Sequence, residues 1–379
     1  MVTTEKDPVI VILQLTGGND YFNTIIPYND GNYYDNRPGL KIPQEDMLTI
    51  DEEFAMHPSM GPMGDIYKRG DMAIIHGVGY ANSPRSHFRS MDIWHTAEPD
   101  KVGTEGWLGR AVRELDPNSE NPVTAVNIGQ GLPRALVTPG VSVASVADLS
   151  NYGLLTSVEQ DMVREKMLTR FSNMYGAALG SGQVMDYLGQ TGIDALKGAD
   201  ILKVAPDIYE STIEYADSPI AKSLRDVATI HKAELGTRVF YTQHGSFDTH
   251  AAQAPAHAQL WQEVSVAIQD FWDDLREGGK DENVVMFLFS EFGRRVRDNG
   301  SGTDHGAAGV SFVIGPRGNG GMYSRYPETR AEALEQGDLV PNQDFRGVYS
   351  TILENWLEVE AAPIVNGTFS SENFLSSSN

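Results

Sequence analysis

Cysteine is absent from the 379 residues. This excludes disulfides, thiolate catalysis, Cys-ligated zinc and iron–sulfur clusters. Positive charge is scarce: 29 Lys and Arg face 52 Asp and Glu, for a net charge of −23 and a pI near 4.7. Such a surface disfavours nucleic acid and anionic membranes. An anionic substrate would need positive charge gathered at a discrete site, from a metal or a few arginines. No apolar run approaches the length of a membrane span, so neither a nucleic-acid nor a membrane partner is expected. Residues 1–7 lack an apolar h-region and a twin arginine; the expectation is a cytoplasmic chain by default, or an exported one if a leader has been removed. Internal repeats and low-complexity linkers are also missing. With 40% hydrophobic residues there is material for a large core. One domain over residues 1–379 is expected, with a mainly helical insertion or layer around 150–235. The sequence gives no oligomeric state.

What is present is a set of apolar runs ending in polar, chemistry-bearing residues. Pro8–Leu15 reads as a central strand buried on both faces, followed by Gly17-Gly18-Asn19-Asp20. Met72–Val78 is a second strand, followed by Ser83-Pro84-Arg85-Ser86-His87. From Ser86 the pattern turns helical, with Phe88, Met91, Ile93 and Trp94, so Ser86 sits where free N–H groups and the helix dipole favour an anion or alkoxide. Shorter strands are expected at Val123–Ile128, Ala135–Val137 and Val141–Val143. Thr237–Tyr241 leads into His244, Asp248 and His250, and a long helix follows over Ala251–Leu275. Asn283–Phe289 ends in Ser290-Glu291-Phe292-Gly293-Arg294, and Thr303-Asp304-His305-Gly306 precedes a strand at Val310–Ile314. Residues 28–55 read as an irregular excursion.

Taken singly, each ending has a bland explanation. Gly-Gly-Asn-Asp is good turn chemistry, and Asp248 could cap the following helix. Several strands ending in Asp, Glu or His instead suggest one shared site at the sheet edge. Carboxylates and imidazoles together suit a divalent cation: zinc, manganese, magnesium or calcium. A metal beside a helix-terminal serine points to attack on a phosphoryl, sulfuryl or acyl centre. Arg85 could fork onto the substrate's oxygens, with His87 beside Ser86 in the catalytic group. His57, His76, His95, His231 and His257 read as structural.

The stretches Leu15–Asp20, Arg85–Phe88, Phe247–His250, Ser290–Arg294 and Thr303–Gly306, in this order, resemble the DUF1501 family, a bacterial group placed with the alkaline phosphatase/sulfatase superfamily. The resemblance implies an α/β fold, a three-layer α/β/α sandwich around a mostly parallel mixed sheet. It implies that Asp20 is the first-strand metal carboxylate and that Ser86 lies in the nucleophile region. Asp248, His250 and His305 would serve one metal, while Glu291 falls where the superfamily has an Asp-His pair; with Asp304 from the strand ends, these make up the expected metal ligands. Phe292 stands where the superfamily has a histidine ligand, which makes a single or asymmetric metal site the expectation. The function expected is metal-dependent hydrolysis of a sulfate or phosphate ester of a small molecule or saccharide. The alternatives are a non-catalytic binding protein with a degraded metal site and a redox metalloenzyme on the same fold.

Overall fold

The strand Val9–Leu15 (β1) lies in the middle of the main sheet because it gives no face to water. All seven residues are buried. Val11, Leu13 and Leu15 join one core and Ile10 and Ile12 the other, as the period of two requires of a strand covered on both sides. The computed structural model describes residues 7–149, 152, 161–176 and 182–376. Among these the remaining strands of the main sheet are Met72–Gly79 (β2), Ala125–Ile128 (β3), Ala144–Val146 (β4), Val239–His244 (β5), Val284–Phe289 (β6), Gly309–Ile314 (β7), Gly321–Tyr323 (β8) and Gln343–Asp344 (β9). Their order is β8-β2-β7-β6-β1-β5-β3-β4, with β9 pairing on β2. Only β7 runs antiparallel to its neighbours. The expected mixed, mostly parallel sheet is therefore present.

Helices cover both faces. The main ones in chain order are Gly61–Lys68 (α1), His87–Thr96 (α2), Trp107–Leu115 (α3), Asp161–Gly176 (α4), Gln183–Leu202 (α5), Pro219–Lys232 (α6), Gln253–Glu277 (α7) and Phe345–Thr351 (α8). Helices α1, α6 and α7 pack Met63, Leu224 and Trp261 into the core shared with Val11 and Leu13. Helices α2, α3 and α8 pack Trp94, Trp107 and Tyr349 against the opposite face, with Ile10 and Ile12. These are the three layers. Of the stretch read as a helical layer, residues 150, 151, 153–160 and 177–181 lie outside the described residues.

Three local expectations are corrected. Residues 134–136 form a 3₁₀ turn rather than a strand, and the next strand begins only at Ala144. Pro133 opens that turn, while Pro139 and Gly140, the latter at φ +79°, break the chain before a strand can start. Phe88 is 92% exposed instead of joining the core. At about 100° per residue it lies on the far side of α2 from the buried Ile93 and Trp94. The excursion over 28–55 also holds more order than expected: a helix over Gly31–Asn36, capped by Asp30, and two strands, at Leu48–Thr49 and Ala55–Met56, of a small three-stranded sheet.

The topology explains why the strand-end motifs meet. β1, β2, β5 and β6 point the same way, so their carboxyl ends share one edge. Antiparallel β7 starts at that edge, which brings residues 303–306 there from the other direction.

Trp94 is the test of the packing on the α2 side, with Phe289 stacked 4.9 Å and Phe345 4.6 Å away between ring centroids. Trp94→Ala should cost about 3–5 kcal/mol, read from urea unfolding as a lower midpoint at unchanged slope. A cost below about 1 kcal/mol would mean that this stack is not part of the core.

Candidate metal centre

The loop after β1 turns on two glycines because nothing larger fits. Gly17 has φ +121°, and a Cβ there would lie 2.4 Å from the backbone nitrogen of Asp248. Gly18 has φ +80° and lies beneath the Phe292 ring. The close approach lets Phe247 N–H donate to the Thr16 carbonyl at 3.1 Å, so the β5 loop lies directly over the β1 loop. Residues 293–295 pair with 304–306 through Arg295 N–H to Asp304 O at 3.0 Å and Gly306 N–H to Gly293 O at 2.9 Å. That pairing carries His305 to the same place.

Arg294 ties these loops together. Its side chain is fully buried. Nε donates to Gly18 O at 2.8 Å, and Nη1 to Thr303 O at 2.9 Å. Nη2 reaches Gly17 O at 2.8 Å, Phe247 O at 3.0 Å and the Asp248 carboxylate at 2.6 Å. Burial works against the charge on Asp248, but the hydrogen bond from Arg294 prevails and holds its pKa down to about 2.

Around Asp248, three imidazoles converge. His305 Nε2 lies 3.0 Å from Asp248 Oδ1, 3.0 Å from His87 Nε2 and 2.9 Å from His250 Nε2. His250 Nε2 is also 3.0 Å from Asp248 Oδ1, and His87 Nε2 is 3.4 Å from Asp248 Oδ2. Potential ligand atoms of His87, Asp248 and His305 all fall within 4.8 Å of one another. The opposite nitrogen of each ring meets an acceptor. His305 Nδ1 donates to the Arg85 carbonyl at 2.9 Å, His87 Nδ1 to Glu291 at 2.8 Å and His250 Nδ1 to Asp304 at 3.2 Å. These partners fix the proton on Nδ1, so a neutral ring turns its Nε2 lone pair inward. The hydrogen bond to Glu291 also holds the His87 pKa above the usual histidine value.

The structure thus sorts the residues expected at the site. Asp248, His250 and His305 converge, and His87, expected in the catalytic group, joins them through its Nε2. Glu291 and Asp304 lie one step behind: Glu291 Oε1 accepts from His87 and from Gly17 N–H at 2.9 Å. Asp20 is occupied elsewhere. Its oxygens take both Arg37 terminal nitrogens, at 2.5 and 2.8 Å, and the Gln253 amide. Both charged partners are fully buried. Burial pushes the Asp20 pKa up, Arg37 pulls it down harder, and the net is below the ordinary value. Arg85 is no free fork either, since Nε lies 2.5 Å from Asp338 and Nη1 3.2 Å from Gln336. Ser86 caps α2 in extended backbone without a side-chain cap bond, between the carbonyl that anchors His305 and the ring of His87. His244 faces Glu263 at 3.3 Å. Asp248 does not cap α7, whose N-cap is Ala252.

Sequence reasoning passed over Arg37, Gln253 and the clamping role of Arg294. Phe292, read as a missing ligand, is a wall with ring centroids 4.9 Å from both His87 and His305. The structural histidines fit that reading: buried His57, His76, His95 and His257 are shifted down to about 3, 4, 4 and 4, with desolvation as the main cause.

A three-layer α/β protein with a His–carboxylate cluster at the carboxyl edge of its sheet is the class that fold and site define. The chain belongs to the family described as Protein of unknown function (DUF1501), whose model matches residues 7–354. No curated protein matches it. Among solved structures it is similar to the PsFucS1 sulfatase from Pseudoalteromonas sp. at 12% identity and TM-score 0.43, over 98% of this chain and 73% of that one. It is also similar to the phosphonate monoester hydrolase of Agrobacterium radiobacter at 10% identity and TM-score 0.40, over 95% and 78% of the two chains. The C-terminal periplasmic domain of EcEptC from Escherichia coli, in complex with Zn, matches at 8% identity and TM-score 0.39, over 82% and 73%.

Two outcomes test the scaffold. Asp20, with its pKa lowered in the folded state, contributes stability above its ordinary value of 3.8 and loses it as pH falls through the folded value. Asp20→Asn should therefore cost about 3–5 kcal/mol at pH 7 by stranding Arg37, and this gap should narrow below about pH 4 in pH-dependent denaturation; a constant gap would remove Asp20 from the acid limb. Arg294→Lys keeps the charge but lacks the fork. It should lower the thermal midpoint by several degrees, and an unchanged midpoint would show that charge alone suffices.

Proposed function

We propose that the protein is a metal-dependent hydrolase of a sulfate or phosphate ester. The observation that carries this is the meeting of Nε2 lone pairs around Asp248. One proton could relieve one such pair, but His305 Nε2 faces two other imidazole nitrogens and a carboxylate at about hydrogen-bond distance. A cation that takes several donors at once satisfies them all. His87, Asp248 and His305 would hold it, with His250 at the rim. Imidazole donors favour zinc or manganese over magnesium or calcium. When bound, such an ion withdraws charge from a coordinated oxygen and stabilises negative charge developing on the ester.

The chain's own residues supply the rest. Ser86 would attack sulfur or phosphorus and release the alcohol, after which water would cleave the serine ester to return sulfate or phosphate. Glu291 and the Arg85 carbonyl orient His87 and His305, and Phe292 packs against both rings. One observation favours a second reading. Two histidines and one carboxylate are also the donor set of non-haem iron oxygenases, so a redox metalloenzyme stays in play.

Purified protein should carry one zinc or manganese per chain by elemental analysis, and His305→Ala should lose it. Chelation should abolish hydrolysis of 4-nitrophenyl sulfate or phosphate, and Ser86→Ala should lower it on the order of 10³-fold or more with metal content unchanged. Full turnover in Ser86→Ala would move the nucleophile to water or Ser83. No metal uptake would sink the proposal in favour of a binding protein, and iron with oxygen consumption would select the redox reading.

A further inference from the structure

Of the fourteen phenylalanines, Phe88 alone is exposed, at 92%, while every other is buried or half-buried. The five tryptophans are all buried. Singly exposed apolar side chains are common on proteins. Its place is what sets this one apart. Phe88 is bonded to His87, whose ring turns into the cluster, and follows the helix-opening Ser86 by two residues.

The direction of the ring follows from α2. Residues seven apart on a helix lie within about 20° of one line, so Phe88 is in line with His95, away from Ile93 and Trp94. His95 Nε2 meets Gln14 Oε1 at 3.0 Å and the Tyr241 hydroxyl at 3.1 Å, and Met91, one turn nearer the helix start, touches Gln14. This line of α2 therefore lies across β1 and β5. Phe88 is about 10 Å nearer the helix start than His95, whereas β1 runs only one residue past Gln14, about 3.3 Å. Its Cα–Cβ bond leans toward the helix start as well. The ring thus clears the sheet and overhangs the carboxyl edge, where the loop after β5 carries Asp248 and His250, their side chains each 45% exposed. The polar neighbours of Phe88 are spent on one another. Arg89 and Arg134 both hold Asp92, Arg134 at 2.6 Å, and Arg89 gives Nη2 to the carbonyls of Pro99 at 2.6 Å and Lys101 at 2.9 Å.

We infer that Phe88 is the platform for the organic part of the ester, and that this part is an aryl ring stacked on it while the sulfate or phosphate end meets the cluster. The inference rests on the ester-cleaving reading and adds the substrate class to it, an aryl ester. A free phenyl face beside a polar centre offers offset or edge-to-face stacking to another aromatic ring. A sugar ring would ask for hydroxyl partners as well, and Arg89, Asp92 and Arg134 are already taken.

The test is titration calorimetry of the zinc-loaded full chain with two pairs of anions that have no ester bond to cleave: phenylphosphonate against methylphosphonate, and benzenesulfonate against methanesulfonate. In the tighter-binding pair the aryl anion should bind about fivefold or more tightly than the methyl one. Phe88→Ala should bring that pair within about twofold by weakening the aryl anion alone, with zinc stoichiometry and thermal midpoint unchanged because the side chain is exposed. Phe88→Trp should restore the preference. Equal binding of aryl and methyl anions by the unaltered chain overturns the inference. So does equal weakening of both by Phe88→Ala, which would make Phe88 a positioning residue acting through His87. A lower oligomeric mass of Phe88→Ala by light scattering, with the aryl preference intact, would assign the ring to a contact between copies and overturn it too. Zinc uptake and 4-nitrophenyl ester turnover without any aryl preference would overturn the platform alone. No zinc uptake, or no binding of any of the four anions, would remove the ester-cleaving reading and the platform with it.

Discussion

One buried guanidinium holds the site in register. Arg294 donates to carbonyls of Gly17, Gly18, Phe247 and Thr303 and to the carboxylate of Asp248. Those acceptors come from three segments that meet only because the sheet brings their strand ends to one edge. Carbonyls that face inward at a loop crossing have no water to satisfy them, and each would cost about 1–3 kcal/mol if left unpaired. A planar fork of five donors meets this demand in a single side chain. The fifth acceptor is Asp248, so the group that closes the loops also orients the carboxylate at the heart of the cluster. Fold and site are coupled through that residue.

Charge balance follows the same economy. In a chain of −23, a buried acidic strand end needs a balancing cation, and at Asp20 the fold builds one in. Asp20 is neutralised internally by Arg37, whose remaining N–H groups reach the carbonyls of Val296 at 2.7 Å and Arg295 at 3.0 Å. Asp20 is thereby a buttress under the 293–296 segment. Glu291 and Asp304 spend their charge on the outer nitrogens of His87 and His250. Only Asp248 keeps an oxygen turned toward the inward-facing nitrogens. Phe292 packs its ring against those of His87 and His305, fixing their inner faces.

Much of this was legible in the sequence. The strands at 9–15, 72–79, 284–289 and 309–314 announced themselves as apolar runs, and the motif at each end was visible as polar residues against that background. Strand direction followed from helical patterns between parallel strands, so convergence at one edge could be inferred. The sequence could not assign depth. Asp20, Glu291 and Asp248 look alike as acids after strands, yet one is a buttress, one an orienting acceptor and one a member of the cluster. The difference is made by partners such as Arg37 and Arg294, and by the separation of 204 residues between His87 and Glu291. No local pattern encodes such pairs. Phe88 failed for a related reason: a helical hydrophobic pattern gives a period, and the neighbouring layer decides which arc is covered. Residues 134–146 failed because short apolar runs broken by Pro and Gly are ambiguous between turn and strand.

The segment 85–87 shows how far three residues can be overdetermined. Arg85 spends its side chain on Asp338 and Gln336, away from the cluster, and its carbonyl on His305. Left-handed backbone at Arg85 permits both at once, and a non-glycine residue holds it only where the surroundings impose it. Ser86 then returns to extended backbone and opens α2, and His87 turns its ring between Glu291 and His305. A serine in such a place cannot drift relative to the imidazoles on either side, because the main chain on one side and the side chain on the other are both tied to them. Catalysis by positioning asks for this kind of fixation before substrate arrives. The strained Arg85 thus sets, through its carbonyl, the tautomer of a histidine more than two hundred residues away.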